Sequence, residues 1–522
     1  MNIITFNQLI PSFNELVSLI FLLYLFGTFF VLGKIISKNP SASINISIGW
    51  SIFTSLNYIF LIIFGLNLFI LNSIYFLISF FAIFFYFKKF NKIKLNYNYN
   101  KFFFIIPLFF ILINTKTFGY DSFAYILKRT VYLLEYNELP TELFRSNYPI
   151  ASQLLHYFTN FLINSFTENI PALIDFIFLF LMSLLTFEIF KSYKFLSKTY
   201  LALSFLIIFF NPMIMNVYSY TSYEDLHSSF IVMVIFFFCF KKNYDLFNFD
   251  NRELISLALL LSLLSSIKIT GFILSFSIIL SLFIILIKEK KFNLKIFKYL
   301  LVLSFFSLLL PLIWNFHLFN NKIFTGIEFK GFRVNVLETI PINYYNQFFE
   351  KKFLFLINFL FLILPLFLLT FKKFRNLQNL IIFIFFPTII WNLFLICFMI
   401  FLQNENHAIT FHNYFRYISQ LSGIFTAGFL IICLQFFFKK FNFKIIDKLY
   451  YLFAIIFIVL TVSNFDKIRR DFNYNDQVLR NKILTNLENK DYLQQLIKNE
   501  GSTTYNRKLL EFYINVIINR NF

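Results

Sequence analysis

Asp121 opens a helical segment, GYDSFAYILKRTVYLLEYNELP (119–140), just beyond an apolar run that ends near residue 115. A carboxylate there can cap free helix N–H groups or act as a general base. A second acidic element, YTSYEDLH (220–227), follows another apolar run. Its Glu224 and Asp225 are adjacent, so on a helix they diverge by about 100° and one of them at most aims at a given point. With Asp121, either acid suits Mg²⁺ or Mn²⁺, which favour carboxylate oxygens, and His227 is a further ligand candidate. Lys268 interrupts the apolar stretch LLSSIKITGF, where an ammonium must snorkel outward or meet an acid or a phosphate. QNENHAITFHNYFRY (403–417) collects His407, His412, Arg416 and Tyr417. Arg offers a two-pronged phosphate contact that Lys does not copy, and anchoring to lipid headgroups uses the same charge.

The elements that must position these residues are membrane spans. Apolar stretches near 16–35, 49–66, 67–87, 102–115, 170–190, 199–215, 226–240, 254–268, 270–287, 298–314, 353–371, 379–402, 418–437 and 447–463 predict about 14 transmembrane helices, with 12–14 allowed. Lys and Arg concentrate in alternate connections, beginning with Lys34 and Lys38 and ending with KKFNFKIIDK (439–448). These connections hold 25 of the 46 basic residues. The positive-inside rule puts them in the cytoplasm, and both the N-terminus and residues 464–522 outside. That parity requires YPIASQLLHYFTNFLINSF (148–166) to stay out of the membrane. Its Gln153, His156, Asn160 and Asn164 suit an interfacial helix. The segment after Asp121 is read as a second amphipathic surface helix, with apolar positions 123, 126, 127, 131 and 134 beside Lys128, Arg129 and Glu135. The outward regions 116–169, 315–352 and 403–417 are long enough to build a site. The tail reads as a small helical cap, because KLLEFYINVII is too short to span.

Composition agrees with this reading. The chain is 59% hydrophobic and 14% charged, against the roughly 25% charged residues of soluble domains, which excludes a soluble fold. Abundant Phe, Ile, Asn and Lys with 11 Gly and 11 Pro match an AT-rich genome, so Asn and Lys runs carry little functional weight. The net charge of +20 belongs to the basic loops, and no nucleic-acid module is present. Cys239, Cys397 and Cys433 lie in apolar runs without ligand spacing, which argues against a disulfide framework or a zinc site. MNIITFNQLIPSFNE lacks a basic n-region and a cleavage site, so the first span is expected to remain.

Taken in chain order, the segments resemble the lipid-dependent glycosyltransferase-C superfamily, especially bacterial members related to the protein mannosyltransferase and aminoarabinose transferase groups. GYDSFAYILKRTVYLLEYNELP and SNYPIASQLLHYF resemble their first outward loop, and YTSYEDLHSSFIVMVIFFF their later acidic turn entering a span. SIKITGFILSF is similar to their Lys-Thr-Gly hairpin segment, PLIWNFHLFNNKIFTG to their Pro-Trp-x-x-x-Asn segment, and YFRYISQL to their late Arg-Tyr run. This sequence departs in having a single acid at Asp121 and Asn315 without a preceding Arg.

The resemblance covers roughly residues 102–435, with the first three spans and the tail outside it; the chain is accordingly read as N-terminal helices over 1–101, a catalytic membrane region over 102–463 and an outward tail over 464–522. It makes Asp121 the base, Glu224 or Asp225 a metal- or acceptor-positioning acid, and Lys268, Arg416, Lys128 and Arg129 contacts to a lipid phosphate. His407, His412 and Tyr417 are additional outward-loop candidates. A sugar would pass with inversion from a polyprenyl-phosphate donor to a glycan, lipid or protein acceptor at the outer face of a bacterial inner membrane. A lipid-linked oligosaccharide flippase or transporter, and a polysaccharide polymerase or ligase, remain alternatives.

Overall fold

A computed structural model describes residues 11–89, 99–117, 122–141, 147–163, 166–214, 223–323, 329–350, 352–368, 377–403, 407–408, 414–436, 449–469 and 504–514, with scattered positions between 479 and 499. All regular structure among the described residues is helical. Asp121 and His412 lie outside them, as does most of the tail between residues 470 and 503.

The first helices are α1 (Phe13–Ser37), α2 (Ala42–Tyr58, prolonged by a π-helical turn Ile59–Ile63), α3 (Leu68–Lys89) and α4 (Ile106–Leu112). After them come α5 (Leu127–Tyr136), α6 (Ala151–Asn160), α7 (Ile170–Ser192), α8 (Lys198–Phe209) and α9 (Glu224–Lys241). The second half contains α10 (Asn251–Ile267), α11 (Gly271–Lys288), α12 (Leu294–Asn320), α13 (Val334–Glu350), α14 (Lys352–Leu368) and α15 (Gln378–Phe401). Helices Tyr414–Ile418, Ser422–Phe436, Tyr450–Ser463, Phe465–Ile468 and Thr504–Phe512 follow.

A helix occupies each apolar segment marked in the sequence. Eight are long and apolar enough to cross a membrane, and the helices at 101–112, 198–209, 354–363 and 450–463 are apolar but shorter. The chain is an all-α integral membrane protein.

Local sequence sets several boundaries. Ser12 and Glu15 form a reciprocal capping box at the start of α1, and Asp250 and Glu253 do the same for α10; each pair satisfies N–H groups that the first helical turn leaves open. The helix α9 is apolar almost all round after its first turn, and nearly every residue from Glu224 to Cys239 is buried. Such a helix belongs at the centre of a bundle. It packs on α2, α7, α10 and the Ser422–Phe436 helix. By contrast, α3 and α12 expose Phe80, Phe81, Phe84, Phe85, Leu301, Phe305, Leu312 and Phe316, the pattern of lipid-facing surfaces. A single apolar core runs from Leu19 to Ile468, so α1 and α2 share their interior with the helices that follow residue 102.

The two ends of the bundle differ in charge chemistry. At one end the described connections after α7, α9 and α11 carry basic residues, with rim-level pairs Lys241–Glu188 at 2.9 Å and Lys242–Glu253 at 2.7 Å. The other end carries α5 and α6, and here the structure corrects the sequence reading. Neither helix lies free on a surface. All ten residues of α6 are buried, and its polar side chains meet protein groups: Ser152, Gln153, His156 and Asn160 all form hydrogen bonds within the bundle. A polar helix face in the sequence looks the same whether it fits hydrated headgroups or a polar protein wall.

Candidate functional site

The head of α9 is the centre of a buried polar cluster. Asp225 accepts hydrogen bonds from Lys268 Nζ at 2.7 Å, Arg416 Nε at 2.6 Å and Gln420 Nε2 at 2.7 Å. One carboxylate therefore faces two cations, all three of these charged groups being sealed from solvent. The Arg416 guanidinium also lies over the Tyr223 ring, 4.2 Å from its centroid, and the Lys268 ammonium lies 4.8 Å from that of Tyr417, both within range of a cation–π attraction.

Each partner is placed by local backbone. Lys268 ends α10 in an extended conformation and is followed by a tight turn closed by the Gly271 N–H on the Lys268 carbonyl at 2.8 Å. A Cβ on Gly271 would sit 2.1 Å from the Leu264 carbonyl oxygen, so only glycine allows α11 to turn back this closely. Arg416 and Gln420 arrive on the run leading into the Ser422–Phe436 helix. That run approaches α9 through Gly423, whose added Cβ would meet the Ser229 carbonyl oxygen at 2.5 Å. Its N–H donates to Ser229 Oγ at 2.9 Å, and the Ser229 and Ser422 hydroxyls share a bond of 2.8 Å.

Glu224 points elsewhere, as the 100° divergence requires. It accepts from Gln153 Nε2 at 3.0 Å and feels the charges of Arg129 and Lys268. Arg129, on α5, is 0% exposed. Its Nη2 donates to the Pro149 carbonyl at 3.1 Å and to that of Tyr148, while Nε and Nη1 have no hydrogen-bond partner among the described residues. Burial pushes the guanidinium below its ordinary pKa, with Glu224 acting in the opposite sense. The loop carrying those carbonyls is pinned by Trp314 Nε1, which donates to the Asn147 carbonyl at 2.8 Å, and by the Tyr58 hydroxyl, which accepts the Ile150 N–H at 2.9 Å.

His227 joins a hydrogen-bond chain, with Nδ1 2.8 Å from Ser152 Oγ and Nε2 3.0 Å from Asp175 Oδ1. Trp50 and Phe178 close edge-on around its ring. The chain clamps α6 to α9 and α7.

The sequence candidates thus separate. Glu224, Asp225, Lys268, Arg129, Arg416 and Tyr417 converge on one cluster. Lys128 does not join it: one residue from Arg129, it turns toward Lys508 and Glu511 of the C-terminal helix. Burial and Lys508 lower its pKa while Glu511 raises it. His407 is exposed. His227 has both ring nitrogens engaged within the protein, and Lys268 meets an acid rather than snorkelling. Sequence reasoning missed Gln153, Gln420, Ser152, Asp175, Tyr58 and Trp314 as site-building residues. Asp175 carried a signal, because an acid inside IPALIDFIFLFL is costly unless something meets it.

No group of three His, Cys, Asp or Glu side chains suited to a metal occurs among the described residues. Among the described residues, Arg129, Lys268 and Arg416 stand against Glu224 and Asp225, so these five side chains carry one positive charge in surplus when both acids are ionised. Those five side chains suit an anion, while Asp121, the other carboxylate expected at a divalent cation, lies outside the described residues.

The chain matches no protein-family model, no curated protein and no solved structure.

Proposed function

We propose that the protein is a membrane glycosyltransferase of the glycosyltransferase-C type, moving a sugar from a polyprenyl-phosphate donor to an acceptor at the outer face of a bacterial inner membrane. The observation that carries this reading is the buried group of three cations, Lys268, Arg416 and Arg129, gathered around Asp225 and Glu224. Cations fixed together in a water-poor site favour a developing negative charge, and a lipid-linked phosphodiester supplies one. The described basic connections after α7, α9 and α11 lie at the end of those helices away from the cluster, which by the positive-inside rule supports an outward-facing cluster. The same rule supports about 14 spans and an outward tail.

In this reading the acceptor hydroxyl attacks the anomeric carbon while Asp121 takes its proton. The bond from that carbon to the phosphate oxygen breaks, and polyprenyl phosphate leaves with both bonding electrons. Charge growing on the leaving phosphate is stabilised by Lys268, Arg416 and Arg129, cations already fixed in a water-poor site. Glu224, held by Gln153, faces the acceptor.

The test is release of polyprenyl phosphate from a panel of polyprenyl-phosphate sugars by the purified protein in lipid nanodiscs with membrane-extract acceptors. Release coupled to sugar transfer, lost in a folded Asp121→Asn variant, is expected. Absence of release across the panel by folded protein overturns the reading in favour of a flippase or a polymerase.

A further inference from the structure

The C-terminal helix Thr504–Phe512 and the residues just after it cover α5. Leu509, Leu510, Phe512 and Tyr513 bury Phe123, Leu127 and Val131, which share one side of the π-helical turn Ser122–Ile126 and α5. The Tyr513 hydroxyl donates to Glu168, two residues before α7, and so ties this segment to the bundle. Around the rim, Glu511 accepts from Arg507 Nε at 3.0 Å and Lys508 Nζ at 2.8 Å.

The helix α5 therefore has two opposed duties. One side is apolar and covered by the C-terminal segment; Arg129 projects from the other into the polar cluster. A guanidinium with two nitrogens unpartnered among the described residues is expensive to enclose, and lifting this ten-residue helix would draw it out of the cluster. The second half of α5 is held by the main core through Leu133 and Leu134 and by α6. Its first turns, which carry Arg129, rest in addition on the C-terminal segment, because lifting them would strip Phe123, Leu127 and Val131 of their cover.

We propose that the C-terminal segment is a clamp that holds Arg129 inside the cluster, so that docking of Leu509, Leu510, Phe512 and Tyr513 and burial of the guanidinium are energetically coupled. Coupling of this kind is reciprocal. Weakening the dock loosens α5, and removing the buried charge lessens the need for the dock. The proposal does not rest on the transferase reading, and its test uses no substrate.

Backbone hydrogen exchange of the full-length protein in nanodiscs reads it directly. Phe512→Ala combined with Leu509→Ala should speed exchange over residues 122–136 at least tenfold while α7 keeps its wild-type protection, which serves as the control for folding. Adding Arg129→Met to that variant should bring residues 122–136 back to within about threefold of wild type. A cover with no link to Arg129 would leave exchange fast in the triple variant. Unchanged exchange in the double variant, or no recovery on adding Arg129→Met, overturns the proposal.

Discussion

Asp225→Asn isolates the electrostatics of the cluster. The variant keeps the shape of the side chain and one acceptor oxygen but removes the charge that faces Lys268 at 2.7 Å and Arg416 at 2.6 Å. A unit-charge pair about 4 Å apart gains about 4 kcal/mol at an effective dielectric near 20. Removing one partner of a buried pair costs about 3–5 kcal/mol in practice, because the other charge is left enclosed and alone. Asp225→Asn should therefore lower stability by about 3–5 kcal/mol. Lys268→Met should cost less, since Asp225 then faces Arg416 and Gln420 as a one-to-one pair. The decisive variant is the double. Asp225→Asn with Lys268→Met leaves one orphaned cation instead of two, so it should be more stable than Asp225→Asn alone although it carries one more substitution. Midpoints of SDS-driven unfolding in mixed micelles, followed by tryptophan fluorescence, give this order. A double variant at or below Asp225→Asn would refute the reasoning.

Three other outcomes follow from the same geometry. Burial pushes the His156 pKa down to about 4, outweighing the Thr167 carbonyl and the nearby charge of Glu168. The native ring is thus neutral where the unfolded one, near 6.5, takes a proton. Its stabilising share is full above about pH 6.5 and shrinks down to about pH 4, by about 3 kcal/mol in all; unfolding midpoints measured between pH 7 and 4.5 should fall less steeply in His156→Gln than in the wild type. Gly423→Ala places a methyl 2.5 Å from the Ser229 carbonyl oxygen and 2.8 Å from Met233 Cβ, so it should cost about 1–3 kcal/mol by overpacking. A wild-type unfolding midpoint in that variant would contradict the close approach. His227→Phe should release Ser152 and Asp175 and slow transfer by misplacing Gln153 against Glu224, with the loss appearing in kcat more than in KM; unaltered kinetics would remove the clamp from the proposed mechanism.

Much of the helical architecture was legible because the length of an apolar run is a one-dimensional signal. The cluster was legible for a related reason. A cation at Lys268 or an acid pair at 224–225 is conspicuous inside apolar sequence, and each had to find a partner. What the sequence hid was the pairing. Nothing in the spacing links Asp225 to Arg416, 191 residues away, and the neutral partners Gln153 and Gln420 look like ordinary polar residues. The adjacent Lys128 and Arg129 read alike, yet helical rotation sends one toward the C-terminal segment and the other into the interior. The α6 error has a similar origin, because periodicity reports that a face is polar without reporting what lies against it.

The three-way contact at Asp225 also bears on how the chain is built into a bilayer. Asp225 and Lys268 emerge within one helical hairpin, α9 followed by α10, and their charges cancel when the hairpin closes. Arg416 follows roughly 150 residues later, a delay on the order of 7–30 s at about 5–20 residues per second. During that interval the nascent half-bundle holds a neutral acid–base pair, a much cheaper passenger in lipid than either ion alone. The late-arriving Arg416 then finds a carboxylate already in position. Its insertion is thereby directed to one place in the assembling bundle, making the final helices' docking a step that the first ten helices have prepared.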